Sequence, residues 1–579
     1  MPNTKIVTFV SYRNLFTNIE KSGLLLPNSY LNDEKNLDTL VNDLIIDFEK
    51  IEAISFCSFL NGVVQSHNPE ITKDMGWKEI VNCKLVKNKN PQGIIFHREN
   101  LLYLIAQLIK KSNLGWKKIT GQPTTKNASD FYKSLLLVND KAAFSPKKID
   151  AKKAILKNYF IRSHPPEYLS NLIKYIYKMR FQRYWYIYSE LIEKLDDSSF
   201  KAIKEGINSI TQSIGISLKE YFNAITGIFI WFCIIPNERN NNPSNPELKK
   251  IGFNPDPKNP KHTETFYITR RGFKDTKFLK LIEHIAIDVE QFKNELGKNR
   301  RDPVEGFFRD FQSFFKYPVF KINDDNFCII DLKFLYEGLC SGFLWLINEV
   351  SSENIQNIKS QYGKLLELYF IELLGKIFGK DNIRPETEEG DPDAILETSK
   401  HILLFEFTTE YYRIASLYNE EEANFLEDVD KILFNKDKKR KNDSGKFYKL
   451  NRYLKKYNDN KKTVIPILVT ENYLGDYDLL NDFENHLQNE IENAKLTEVK
   501  KHKPLIINLD DLEVFWKRSS STKAIDQFIE FVTKWQSLKE KGPYQFNFAS
   551  FIDDFYNPNE VKNTSSEFFN WQEFMNRTK

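Results

Sequence analysis

Between residues 351 and 515 the chain alternates helical periodicity with short apolar runs, and this alternation restricts the fold more than any other feature. Apolar residues three and four apart run through 355–378. Strand-length runs follow at 393–398 (DAILET), 401–409 (HILLFEFTT), 463–470 (TVIPILVT) and 504–509 (PLIINL). Helical patterns separate them near 415–433, through Lys456, and near 477–494. Such alternation predicts an α/β domain with a mixed sheet over 351–515.

The rest of the chain belongs elsewhere. At 579 residues it exceeds what one core accommodates, since cores stop growing near ~250–300 residues. Residues 1–235 read as a large helical region, with clear periodicity at 36–56 and 99–111. Within it, 167–195 interleaves Tyr175, Tyr177, Phe181, Tyr184, Trp185, Tyr186 and Tyr188 with Lys174, Lys178, Arg180 and Arg183. Two readings stand: a nucleic-acid stacking platform, or a buried aromatic helix with its bases on the wet face. Residues 236–262 are rich in Asn and Pro and read as a linker or surface loop. Residues 263–350 form a small mixed connecting region, in which 319–322 and 327–330 flank a polar Asn323–Asn326 turn as a β-hairpin. Residues 516–579 read as a helical or irregular extension.

Composition excludes several classes. Lys+Arg 83 against Asp+Glu 79 leaves +4, which rules out a chain-wide polybasic surface but leaves room for a local basic groove. Cys57, Cys83, Cys233, Cys328 and Cys340 are odd in number and scattered, against a disulfide framework or zinc site. The N-terminus has no signal-peptide pattern. The longest apolar run, 224–236, is too short for a bilayer. A cytoplasmic protein with no membrane partner is expected.

Chemistry concentrates in 386–413, ETEEGDPDAILETSKHILLFEFTTEYYR. Side chains alternate faces along a strand, so Glu406 and Thr408 share one face and Phe405, Phe407 and Thr409 the other. Folding the two strands about Ser399-Lys400, or about a four-residue loop 398–401, sets Asp393 opposite Glu406. Opposed residues have Cβ atoms about 4.5–5.5 Å apart. Two carboxylates that close in apolar surroundings repel unless a cation separates them. A hard divalent ion with oxygen ligands resolves the conflict and suits phosphodiester hydrolysis. On the preceding helix, Glu367 falls between Leu374 and Phe378 in the apolar arc and is expected to face the core. Glu372 falls on the opposite face beside Lys376.

These residues resemble the PD-(D/E)XK nuclease superfamily, the restriction-endonuclease-like fold. Pro392-Asp393 looks like its PD element, Glu406-Phe407-Thr408 stands at (D/E)-X-K, and Glu367 matches the acidic residue often found on the preceding helix. The resemblance covers about 355–475. It implies a restriction-endonuclease-like α/β/α domain and Mg²⁺-dependent (or Mn²⁺-dependent) cleavage of DNA, chiefly double-stranded. Asp393 and Glu406 would ligate metal, and Glu367 would hold a second metal or a metal-bound water. The family lysine is replaced by Thr408, and Glu406-Phe407-Thr408-Thr409 is similar to the E-x-T-T element of type IIS and nicking restriction endonucleases. Glu420, Glu421 and Glu422, or a migrated Lys364 or Lys446, are candidates for the missing role; a degenerate, non-cutting site is the other reading. The resemblance also suggests restriction or antiphage defence, with 1–350 binding DNA, a protein partner or a phage trigger.

Lys446 and Lys449, within a basic run at 436–449, and Arg452 just after it are expected to form a DNA-facing rim. Asp391 is an alternative ligand to Asp393. No P-loop, GxGxxG or GxSxG occurs.

Overall fold

A computed structural model describes residues 98–111, 179–195, 198–229, 267–269, 276–298, 311–324, 326–350, 355–386, 391–410, 462–472, 502–519 and 523–541. It also describes single positions within 53–61, 427–432, 449–454 and 480–492, together with Ser134 and Leu474. The elements used below are α1 (Arg98–Lys111), α2 (Lys201–Ile214), α3 (Leu218–Phe229), β1 (Tyr267–Thr269), α4 (Thr276–Ile285), β2 (Ala286–Asp288), α5 (Val289–Lys298) and α6 (Phe311–Lys316). They continue with β3 (Val319–Asn323), β4 (Asn326–Ile329), α7 (Leu332–Leu339), α8 (Phe343–Val350), α9 (Ile355–Phe378), β5 (Ile383–Pro385), β6 (Ala394–Glu397) and β7 (His401–Thr408). The last are β8 (Thr463–Thr470), β9 (Leu505–Asn508), α10 (Leu509–Arg518) and α11 (Ala524–Lys541). Among the described residues, no helix is long and apolar enough to cross a membrane.

The fold is helices plus two mixed sheets, in two units. Among the described residues, those up to 134 and 210–343 form unit 1, while 179–209 and 344–541 form unit 2. This grouping differs from a division at 235, 350 and 515. The described part of the aromatic-basic stretch, 179–195, joins unit 2, and α11 contributes Phe528 to that unit's aromatic core.

Unit 1 carries the sheet β1-β4-β3-β2. The expected hairpin forms as β3 and β4, antiparallel with Val319 opposite Ile329, and β2 joins β3 in parallel. Phe292 of α5 packs on Phe320 of β3 and Phe314 of α6, with ring centroids 4.6 and 4.9 Å apart. Asp331 caps α7 by accepting from the Phe334 amide at 2.8 Å, and the buried Asn61 amide donates to Asp331 and to the Ile330 carbonyl.

Unit 2 carries the sheet β5-β6-β7-β8-β9. Its first pairs, β5/β6 and β6/β7, are antiparallel, and β7/β8 and β8/β9 are parallel. β7 and β8 are buried along almost their whole length, as strands covered on both faces are. On one face, Phe370 of α9 stacks on Phe407 at 5.0 Å and meets Phe405 at 6.4 Å. Phe528 of α11 fills the same layer against Phe378, Phe405 and Phe515. Gly379, at φ 88°, ends α9 in a backbone conformation that side chains disfavour. A reciprocal capping box between Asn508 and Asp511 starts α10.

Neither reading of the aromatic-basic stretch describes it in full. Phe181, Tyr184, Tyr186 and Tyr188 are buried, yet Arg183 is buried with them instead of lying on a wet face. Arg183 donates from Nε and Nη2 to Glu513 at 2.7 and 2.9 Å and from Nη2 to Asp510 at 2.6 Å. Arg180 also grips Asp510, and Tyr369 of α9 donates to Glu513 at 2.6 Å. Burial alone would make two carboxylates here costly; the two guanidinium forks supply the counter-charge. Tyr175, Tyr177, Lys174 and Lys178 lie outside the described residues.

Candidate functional site

The β6/β7 hairpin sets the site. Its register, Ala394 opposite Phe405 and Glu397 opposite Ile402, closes through a 398–401 loop in which the Thr398 amide donates to the His401 carbonyl at 2.8 Å. One step beyond the paired residues the same register brings Asp393 to Glu406. The Asp393 amide donates to Glu406 Oε2 at 3.3 Å, and the Phe407 amide donates to Asp393 Oδ2 at 2.7 Å. Both side chains are buried, Asp393 at 6% exposure and Glu406 at 0%. Since Phe405 and Phe407 face α9, alternation turns Glu406 and Thr408 to the opposite face of the sheet.

A lysine occupies the space where the two carboxylates need a cation. Lys449 Nζ lies 3.0 Å from Asp393 Oδ1, 3.6 Å from Glu406 Oε1 and 3.2 Å from Glu386 Oε2. Burial pulls the Lys449 ammonium's pKa down, but Glu406 and Asp393 overcome it and hold the group above the ordinary lysine range. Lys449 therefore stands inside the carboxylate cluster and not only on a rim. Glu386 extends the register by one more rung, its amide donating to the Asp393 carbonyl at 3.1 Å.

Glu367 departs from expectation: it is exposed on α9 instead of facing the core. The buried stripe of α9 winds around the helix. Along 358–370 it consists of Ile358, Tyr362, Leu365, Leu366, Tyr369 and Phe370, and only at the C-terminal end does it include the flank of Leu374 and Phe378. Glu367 sits on that flank about two to three turns too early to be covered. It still converges on the site, because Glu367, Glu386 and Asp393 each offer a carboxylate oxygen within 4.8 Å of the others. Glu372 lies where the helix phase sets it, 3.4 Å from Lys376 and accepting from the Tyr186 hydroxyl.

Thr408 is fully buried, and its hydroxyl oxygen accepts the Glu410 amide at 3.1 Å. The Thr408 hydroxyl thus serves the strand's own exit, while the ammonium in the carboxylate cluster comes from Lys449. Beside it, the Glu471 amide donates to the Thr408 carbonyl at 3.0 Å. Tyr184 and Tyr362 both donate to the buried Glu471 carboxylate, which burial holds above the usual glutamate range. Asp391 is half-buried just before Pro392. Lys364 is exposed on α9. Lys446, Arg452, Glu420, Glu421 and Glu422 lie outside the described residues.

The arrangement joins four carboxyl groups, from Asp393, Glu406, Glu386 and Glu367, with one ammonium. Carboxylate oxygens are hard donors of the kind Mg²⁺ and Mn²⁺ take, and Lys449 stands in for a cation among them. Sequence reasoning missed Glu386 as a member and underrated Lys449. Glu386 is placed by register: one rung beyond Pro385 opposite Ala394 puts it beside Asp393. No family model, curated protein or solved structure matches this chain.

Proposed function

We propose that unit 2 is a divalent-metal-dependent DNA endonuclease of the PD-(D/E)XK type. The observation that carries this reading is the Lys449 ammonium set among Asp393, Glu406 and Glu386 on a helix–hairpin–parallel-strand unit. It supports the resemblance at the point where the sequence departs from it, the missing lysine at Thr408. The donor set fits Mg²⁺, with Asp393 and Glu406 as the residues that would hold it and Glu367 and Glu386 beside them. Bound there, Mg²⁺ would polarise a phosphoryl oxygen and make a water acidic enough to attack. The chain's own part is positional. The buried hairpin fixes Asp393 and Glu406 through two backbone amides, so their oxygens need no reorganisation to receive charge. Lys449 supplies ammonium donors to the attacking water or to a phosphate oxygen, the task the family lysine performs. Residues 1–350 would contribute DNA reading, partner binding or phage sensing, in restriction or antiphage defence.

The test is cleavage of supercoiled plasmid, linear duplex and single-stranded DNA by the full chain with Mg²⁺, Mn²⁺ or EDTA. Metal-dependent cutting that falls about 10²–10³-fold in Asp393→Ala and Glu406→Ala is expected, the order seen when a transition-state charge stabiliser is lost. Absence of metal-dependent cleavage on all three substrates, or cleavage undiminished in both variants, would leave a catalytically degenerate scaffold as the better reading.

A further inference from the structure

Two rungs join β5 to the helical positions that carry Lys449, and only one of them belongs to the carboxylate cluster. The first is Glu386 to Lys449, 3.2 Å. The second is Arg384 to Tyr453, where the guanidinium Nη2 donates to the phenol oxygen at 3.1 Å. Arg384 is two residues before Glu386 on an extended chain, a step of about 6.7 Å along one face. Tyr453 is four residues after Lys449, about 6 Å along a helix. The second rung therefore runs beside the first, one step from the cluster.

The two rungs differ in chemistry. In the first, the cation is matched by carboxylates. In the second, an exposed arginine is held by a neutral partner. Burial keeps the Tyr453 hydroxyl protonated above the ordinary tyrosine range. A guanidinium presents five donors in a planar fork that fits a phosphate oxygen pair, and a hydrogen bond to one phenol fixes the fork's orientation while using one donor. Among the described residues β5 is the outer strand of its sheet and Arg384 is exposed, which leaves the fork accessible to a phosphate. Pro385 beside it fits an edge position, where a missing amide hydrogen is tolerated.

We propose that Arg384, oriented by Tyr453, binds a backbone phosphate of the DNA strand lying in the site, within about two nucleotides of the scissile bond at ~3.4 Å of axial rise each. This rests on the nuclease reading above and adds a positioning contact to it. Arg384 takes no part in the chemical step; it holds register, as phosphate contacts do.

The experiment measures binding of a fluorescein-labelled 30-base-pair duplex to the full chain in EDTA across 50–300 mM salt. Wild type, Arg384→Ala, Arg384→Lys and Tyr453→Phe are compared, and cleavage kinetics in Mg²⁺ are measured alongside. Arg384→Ala is expected to weaken binding about tenfold, the size of one charge-assisted hydrogen bond. It should also flatten the log–log salt slope by about 0.9, one phosphate contact. Arg384→Lys keeps the slope with part of the affinity, because charge remains without the fork. Tyr453→Phe keeps the slope and loses less affinity than Arg384→Ala. In cleavage, Arg384→Ala raises KM and leaves kcat within about threefold, since uniform binding is what it removes. An unchanged slope and Kd in Arg384→Ala, with wild type binding and cutting normally, overturns the phosphate contact and leaves the nuclease reading standing. Wild type that binds duplex without cutting overturns the nuclease reading, and the slope still decides Arg384. Wild type that binds no duplex overturns the contact outright.

Discussion

Replacing Arg183 by Met should uncouple the 179–194 segment from the sheet of unit 2. Arg183 has 1% side-chain exposure, and Asp510 and Glu513 have 4% each. Met has comparable length, so the cavity left is small and the loss is mostly electrostatic. Asp510 keeps Arg180, which donates to it from Nε at 2.9 and 3.1 Å and from Nη2 at 2.6 Å. Glu513 loses both of its guanidinium bonds and keeps the Tyr369 hydroxyl at 2.6 Å. The cost is therefore that of one buried carboxylate stripped of its counter-ion, about 3–5 kcal/mol. Adding Glu513→Gln removes the stranded charge, and the double variant should recover about 2 kcal/mol, within the coupling expected of contacting residues. Arg183→Lys should fare nearly as badly as Met, because one ammonium cannot bridge two carboxylates in the same plane. Hydrogen exchange at the β7 and β8 amides measures this without requiring the whole chain to unfold in two states. A loss under about 1 kcal/mol for Arg183→Met, or equal losses in the single and double variants, would refute the reasoning, because either result puts the cluster outside the range for a broken buried pair.

Other outcomes follow from the same contacts. Lys449→Met should lower the apoprotein's thermal midpoint by an amount equivalent to about 1–3 kcal/mol, the buried-pair cost reduced because Lys449 is 24% exposed. Millimolar Mg²⁺ should restore that variant more than it shifts wild type, read by differential scanning fluorimetry. Phe528→Ala should cost about 3–5 kcal/mol in unit 2, since its ring lies 5.1–6.2 Å from those of Phe515, Phe378 and Phe405; urea denaturation checks it. Burial pushes the Cys328 thiol up to about 12, with the Ser58 hydroxyl opposing. Because the raised pKa favours the neutral thiol, its contribution to stability is complete below the ordinary value near ~8.5 and is lost as pH rises through about 12. Cys328 should accordingly resist a thiol-specific reagent at pH 8 until denaturant is added. For Asp510, burial raises the carboxyl and Arg180 and Arg183 lower it further, so it ends below the usual aspartate range. That stabilisation is present above ~3.9 and is lost as pH falls through the lowered value, and exchange at β9 measured between pH 5 and pH 2 should reveal it.

The legible parts of the fold are those that depend on short-range periods. Alternation by two placed Asp393 against Glu406 because a four-residue loop leaves one register that buries both apolar faces. The 24 residues of α9 were legible from Ile355 to Phe378 because Gly379 interrupts the pattern. Glu367 was misjudged because a helical wheel assumes a straight stripe, while the real one shifts to follow the elements that cover it. Arg180 and Arg183 were open to a nucleic-acid reading because their partners are 330 and 327 residues away, beyond any local signal. Lys449 could be assigned to a helix from spacing, but the phase of that helix against the sheet is a tertiary quantity. So is the placement of Phe528 against Phe405, which gives α11 a share in the core.

The link between Arg183 and Asp510 also sets a clock. The two residues are separated by 327 positions, and a ribosome adding about 5–20 residues per second needs roughly 16–65 seconds to travel from one to the other. The buried tyrosines of that segment gain partners earlier, Tyr186 at Glu372 and Tyr184 at Glu471, whereas Arg183 waits the full interval for Asp510. The carboxylate hairpin likewise emerges more than a hundred residues before α10 arrives. A message cut short anywhere upstream of α10 thus yields a chain in which the buried Arg183 lacks both of its carboxylate partners.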